Sequence, residues 1–174
     1  MENRIYIADL NAYNSGFLKG DWIELPTDKE EIEEVIRKHT NNFNTDYAIH
    51  DYELPFKIGE YDDPFKINEL IELIEELNLN KYLIKHLEFA YGIDIKNIDV
   101  YDLKQKLDSV YSIEGSNDKE FAQNYFYECY GNQIEDLPWE ISYSIDWDLV
   151  FSKLEMTMSI TENEEENIYY YSSN

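Results

Sequence analysis

The amino-acid sequence predicts an α+β fold in three small modules. These are an N-terminal three-stranded sheet with one helix over 1–63, a central helical module over 64–110, and C-terminal helices with a β-hairpin over 111–174. Three observations carry the prediction. Alternating apolar runs at both ends of the chain read as strands, the stretch from Asp63 to Val110 repeats its apolar residues at helical spacing, and turn or cap residues punctuate the runs. With 43% hydrophobic and 16% aromatic residues in 174, the chain has ample core material despite its charge.

Residues 4–10 (RIYIADL) alternate, setting Ile5 and Ile7 against Tyr6 and Ala8, and residues 17–25 give a second extended run, with the turn-like NAYNSG between them. Thr27 followed by Glu30 has the spacing of a capping box behind Pro26, and Ile32, Val35, Ile36 and His39 continue it as a helix over 28–39. After the polar segment NNFNTD, the run at 47–52 reads as a third strand closed by Pro55. Ile67, Leu70, Ile71, Ile74 and Leu77 then line one helix, Leu83, Ile84 and Leu87 a second that stops at Gly92, and Leu103, Leu107 and Val110 a third over 99–110. The last third opens with a short strand at 111–114. An Asp118-capped helix to Gly131 follows, with Phe121, Ala122, Tyr125, Phe126 and Cys129 as its stripe. A short helix after Pro138, another over 146–154 and a hairpin from EMTMSITEN and ENIYYYS complete the chain.

Charge is the dominant compositional fact. Thirty-eight Asp and Glu against 14 Lys and Arg leave a formal charge of −24 and a pI near 4.2. This disfavours direct nucleic-acid binding, which needs cations against phosphates, and disfavours anionic membrane surfaces. With no long apolar run and no leader-like opening, a soluble, cytoplasmic protein is expected. The lone Cys129 and scattered His39, His50 and His86 offer neither a disulfide nor a metal constellation, and no phosphate-cradling or hydrolase motif is present, so no cofactor, no metal and no catalytic residue is expected. Two Asp-x-Lys tripeptides, at 94–96 and 102–104, fall within the about 2.6 acid-x-Lys tripeptides that random placement gives. His50-Asp51 could pair a base with its orienter, yet neighbours on a strand point to opposite faces, so a structural histidine is expected.

The acids form faces. Glu30 and Glu34, flanked by Glu31 and Glu33, lie opposite the apolar stripe of their helix, with Glu33–Arg37 and Glu34–Lys38 expected as compensating pairs. Glu69, Glu72 and Glu76 share an outward face, Glu75 beside them, with no Lys or Arg between Lys66 and Lys81. Such like-charge spacing costs helix stability that solubility alone does not require. Imbalance peaks over 111–174, where 14 acids face only Lys119 and Lys153, interleaved with aromatics as in LPWEISYSIDWDL. Duplex DNA carries a charge per about 1.7 Å, so 24 charges span roughly 41 Å, or about 12 base pairs.

The opening RIYIADLNAYNSGFLKGDWIELP, the block YAIHDYELPF with the following EYD, and the stretch from Tyr130-Gly131 through SYSIDWDL together resemble the ArdA antirestriction proteins. The resemblance implies an elongated three-domain protein that dimerises through its C-terminal domain and imitates bent B-form DNA. It implies a partner, the methyltransferase core of type I restriction-modification enzymes, inhibited by occupation of its DNA path, and carriage on conjugative elements. No bond is made or broken, so the chain is not expected to be an enzyme. On this resemblance Glu30, Glu31, Glu34, Asp62, Asp63, Glu69, Glu72, Glu76, Glu135, Asp136, Glu140, Asp146 and Asp148 stand for phosphates. Asp51 and Glu53, in the best-matching block, rank below the helix acids. Trp139, Tyr143, Ile145 and Trp147 read first as core and second as the homodimer contact. The competing class is a general acidic module that captures basic proteins loosely.

Overall fold

A computed structural model describes residues 3–40 and 47–173; the polar segment 41–46 lies outside them. The fold is α+β, with two small antiparallel sheets, as the apolar pattern predicts. The chain divides into two compact units, residues 1–81 and 82–174.

In the first unit, β1 (Arg4–Asp9) lies between β2 (Gly20–Glu24) and β3 (Tyr47–Glu53), antiparallel to both. Ile5 and Ile7 are fully buried, as the alternation requires, but Ala8 is buried as well. Gly20 pairs with Ala8, and a Cβ there would lie 2.3 Å from the Ile7 carbonyl oxygen, so only glycine permits this approach of the two strands. The expected turn after β1 holds a single helical turn, α1 (Leu10–Asn14), capped by Asp9, whose carboxylate accepts from the Asn11 and Ala12 amides. The second strand is shorter than its apolar run, leaving Phe17 and Leu18 exposed.

The register of β3 shifts at a bulge. Tyr6 pairs with Asp51 and Ile7 with Ile49, so His50 is the extra residue. Helix α2 (Lys29–His39) buries Ile32 and Ile36. Its cap differs from the expected box: Asp28 occupies the N-cap without a side-chain bond, and the Thr27 hydroxyl donates to Glu31 instead of serving Glu30's turn. Helix α3 (Pro64–Glu76) starts at an Asp63 cap with proline in its first turn, where a missing N–H costs nothing, and buries Ile67, Ile71 and Ile74. Asn68, on the same buried side, accepts from the Thr27 amide at 2.8 Å and donates to its carbonyl at 3.0 Å, fastening α3 to the start of α2.

In the second unit, β4 (Tyr111–Glu114), β6 (Ile168–Ser173) and β5 (Met158–Asn163) form a sheet in that spatial order. Helices α4 (Lys81–Tyr91), α5 (Val100–Leu107), α6 (Asp118–Glu135), α7 (Trp139–Ser142) and α8 (Trp147–Leu154) accompany it. Its core gathers Ile113, Phe121, Ala122, Ile134, Trp147, Phe151, Leu154 and Tyr169, with Phe121 stacked on Tyr169 at 4.9 Å and edge-on to Phe151 at 5.8 Å. The α6 stripe is narrower than expected, since Cys129 is exposed. Backbone geometry breaks at Tyr130, where the helix was expected to end at Gly131, and a second short piece continues to Glu135. Asn117 caps α6 through the Glu120 amide, leaving Asp118, the expected cap, to accept the Tyr169 hydroxyl at 2.9 Å.

His86 of α4 is fully buried and ties that helix to the hairpin. Its Nδ1 lies 3.0 Å from the Thr161 hydroxyl of β5 and its Nε2 3.2 Å from the Ser172 hydroxyl of β6. Burial pushes the imidazole pKa down to about 4.

Candidate functional site

In the first unit the acids expected to matter stand on α2, on α3 and on the turn before it. Glu30, Glu31, Glu34, Asp63, Glu69, Glu72 and Glu76 are all exposed, and Asp62 is half-buried. Asp62 closes a turn by accepting from the Gly59 amide at 2.9 Å, and Asp63 accepts from the Phe65 amide as the α3 cap, so both carboxylates are held by backbone rather than left to swing.

The compensation pattern differs from the expected one in both helices. On α2, Glu33 meets Arg37 at 3.5 Å as predicted, but Lys38 turns to Asp21 of β2 and does not pair with Glu34. Hydrogen bonds from Lys38 and then His39 hold the Asp21 carboxyl below the usual carboxylate range. On α3, which has no basic residue after Lys66, a cation arrives from elsewhere in sequence: Lys29 of α2 sets its Nζ 2.8 Å from Glu69 Oε1. Its ammonium pKa is raised first by that bond, with added attraction from Glu72 and Asp63. Four charged groups, Lys29 at the start of α2 with Asp63, Glu69 and Glu72 along α3 and its cap, therefore share one field, a convergence that no i,i+4 rule discloses. Glu72 also accepts from Asn68 Nδ2 at 3.0 Å, which restricts its rotamer without reducing its charge.

In the second unit, Glu135 ends α6, Asp136 follows it, and Glu140 lies in α7. Asp146 caps α8 by accepting from the Leu149 amide, and Asp148 occupies the first turn of that helix. All five are exposed. Asp146 and Asp148 also suit the positive end of the helix dipole, so their placement has a local cause as well. Neither unit neutralises the other: residues 1–81 carry a net −11 and residues 82–174 a net −13.

The four aromatic and aliphatic residues read as core or contact separate by burial. Trp147 is 9% exposed and belongs to the core, and Ile145 packs half-buried against it, whereas Trp139 and Tyr143 are 69% and 88% exposed. Ile145 and Trp147 also line an apolar groove of about 420 Å3 with Phe126, Tyr130 and Leu137. Asp51 is exposed on β3, and Glu53 receives two hydrogen bonds from Arg4, at 2.9 and 2.7 Å, which hold its carboxyl below the usual range. Strand alternation does not separate His50 from Asp51, because the bulge lets both line one cleft. Among the described residues no group of three or more His, Cys, Asp or Glu is placed to hold a metal ion, and no helix is long and apolar enough to cross a membrane.

Fold and surface together define a highly acidic α+β protein whose distinguishing chemistry is a set of carboxylates on exposed helix faces. The antirestriction protein (ArdA) family model matches residues 5–167, and the chain belongs to that family of antirestriction proteins. Comparison with curated proteins gave no match.

Proposed function

We propose that this chain inhibits type I restriction-modification enzymes as a DNA mimic, its carboxylates taking the place of phosphates in the DNA path of the methyltransferase core. The observation that carries this reading is the exposed acid set of α2 and α3, where seven carboxylates stand on the surface and Lys29 is a cation drawn among them. A basic cleft that grips a duplex gains by releasing condensed counterions, and a rigid protein polyanion offers the same gain. Backbone-bound Asp62, Asp63 and Asp146 add carboxylates whose positions are fixed before binding, which lowers the ordering cost.

The active form on this reading is a homodimer joined through the second unit, with exposed Trp139 and Tyr143 supplying the contact. The inhibitor acts without cofactor or covalent chemistry. Its carriage on mobile elements and its action in the cytoplasm follow from the same family reading.

A competition titration tests this. A purified type I methyltransferase is bound to a fluorescent duplex containing its recognition site and titrated with the chain. Displacement of the duplex at stoichiometric concentrations, with both ligands weakened by added salt, is the expected result. Full-rate cleavage of unmodified DNA by the restriction complex in a large excess of the chain would refute the reading. Equal retention of histones or lysozyme would instead point to loose capture of basic proteins.

A further inference from the structure

The first unit holds a cleft of about 580 Å3 that the acidic helix faces do not use. Tyr6 of β1 stands between its cross-strand partners Trp22 and Asp51, its ring 5.5 Å from that of Trp22. Tyr13 of α1 meets His50 edge-on at 4.5 Å. Glu60 is drawn in because its carbonyl accepts from the Ile49 amide at 2.9 Å, beside the bulge. His50 Nε2 is sealed from solvent yet bonds to nothing among the described residues. Glu60 Oε1, its nearest carboxylate, lies 3.6 Å away, beyond hydrogen-bond distance. No lysine or arginine lines the cleft.

We propose that this cleft binds the guanidinium group of an arginine side chain presented by a protein partner. Guanidinium is a weakly hydrated plane that stacks on aromatic faces and carries five N–H donors in its own plane. Tyr13 is exposed and offers a ring, and the exposed Asp51 and Glu60 carboxylates accept. At the cleft's rim the Arg4 guanidinium already lies 4.7 Å from the Trp22 ring centre while bonding the Glu53 carboxylate, so the ring left for an incoming plane is that of Tyr13. An ammonium group satisfies the carboxylates but cannot stack as a plane. The inference does not depend on how the acidic helix faces are used.

The test follows the indole N–H signals of the 15N-labelled full chain during titration with acetyl-Gly-Arg-Gly-amide and, separately, acetyl-Gly-Lys-Gly-amide. Trp22 reports the cleft, and exposed Trp139, outside it, reports general attraction to a polyanion. The expected result is a saturable shift at Trp22 with Trp139 nearly still, and affinity for the lysine peptide weaker by about fivefold or more. The double variant Asp51→Asn/Glu60→Gln should weaken the arginine peptide comparably while leaving amide signals outside the cleft in place. Trp22 and Trp139 moving together without saturation, equal affinity for the two peptides, or undiminished binding by the folded double variant would each overturn the proposal. If that variant does not fold, the two-peptide comparison on the parent chain decides.

Discussion

Lys29 and Glu69 are forty residues apart, on different helices, and meet at 2.8 Å on the surface of the first unit. The pair is exposed on both sides, so its net effect on stability is small, but it removes one charge from the middle of an acidic field. Lys29→Gln should leave the thermal midpoint within about 3 °C of the parent. If α2 and α3 face the target, the same variant inhibits at least as well as the parent, since it is more negative. A loss of inhibition at unchanged stability would show that Lys29 itself touches the target.

Converting Glu69, Glu72 and Glu76 together to Gln removes charge while keeping size and helix propensity. The triple variant should fold, because all three side chains are exposed, and should compete against duplex DNA about tenfold less well, with a shallower salt dependence. Unchanged potency in the folded variant would take α3 out of the contact face.

Asn68 presents its amide to Thr27 much as another backbone would, satisfying both the N–H and the C=O. Asn68→Leu fills similar space but leaves those groups without partners, and should cost about 2 kcal/mol in urea unfolding. Asn68→Asp keeps the acceptor for the Thr27 amide and supplies a donor for its carbonyl only when protonated, so it should recover part of the loss below the carboxyl pKa.

The buried His86 makes stability depend on pH in a defined window. Its folded pKa is pushed down to about 4 from the ordinary 6.5, so above pH 6.5 both folded and unfolded chains hold it neutral and it contributes no slope. Between pH 6.5 and about 4 the unfolded chain takes up a proton that the folded chain excludes, and stability falls; below that both are protonated and the slope vanishes. His86→Gln should flatten this window relative to the parent in urea midpoints measured every half pH unit.

Trp147 and Trp139 are eight residues apart and should behave oppositely. Trp147→Ala opens the core against Phe151 and Leu154 and should cost about 3–5 kcal/mol. Trp139→Ala with Tyr143→Ser should leave the folded subunit intact but shift sedimentation toward monomer. An unchanged sedimentation profile would place the subunit contact elsewhere.

Sequence periodicity disclosed most elements, because apolar spacing is a local property. Ile5 and Ile7, Ile32 and Ile36, and Ile67, Ile71 and Ile74 are buried where their spacing places them. What it missed is the choice among competing partners, some near in sequence and some far. The Thr27–Glu30 spacing looks like a box, yet the hydroxyl finds Glu31; Asp118 looks like a cap, yet Tyr169 claims it and Asn117 does the capping. The acids were visible as acids, and their exposure on α2 and α3 followed from the helical repeat. Their neutralisation did not: Lys38 leaves Glu34 for Asp21, and Lys29 crosses to Glu69, because a long cationic side chain seeks whatever the tertiary fold brings near. Nothing in YAIHDYE signals an inserted residue, since the bulge is a mismatch between two strands and neither strand contains it alone.

That one-residue mismatch divides β3 into two phases. Residues up to Ile49 keep step with the hydrophobic interior, and those from Asp51 onward are reset by half a pleat. Deleting His50 would give a more regular ladder in which neighbours strictly alternate, so the inserted residue is what brings His50 and Asp51 together at the cleft that Tyr6 and Trp22 also line.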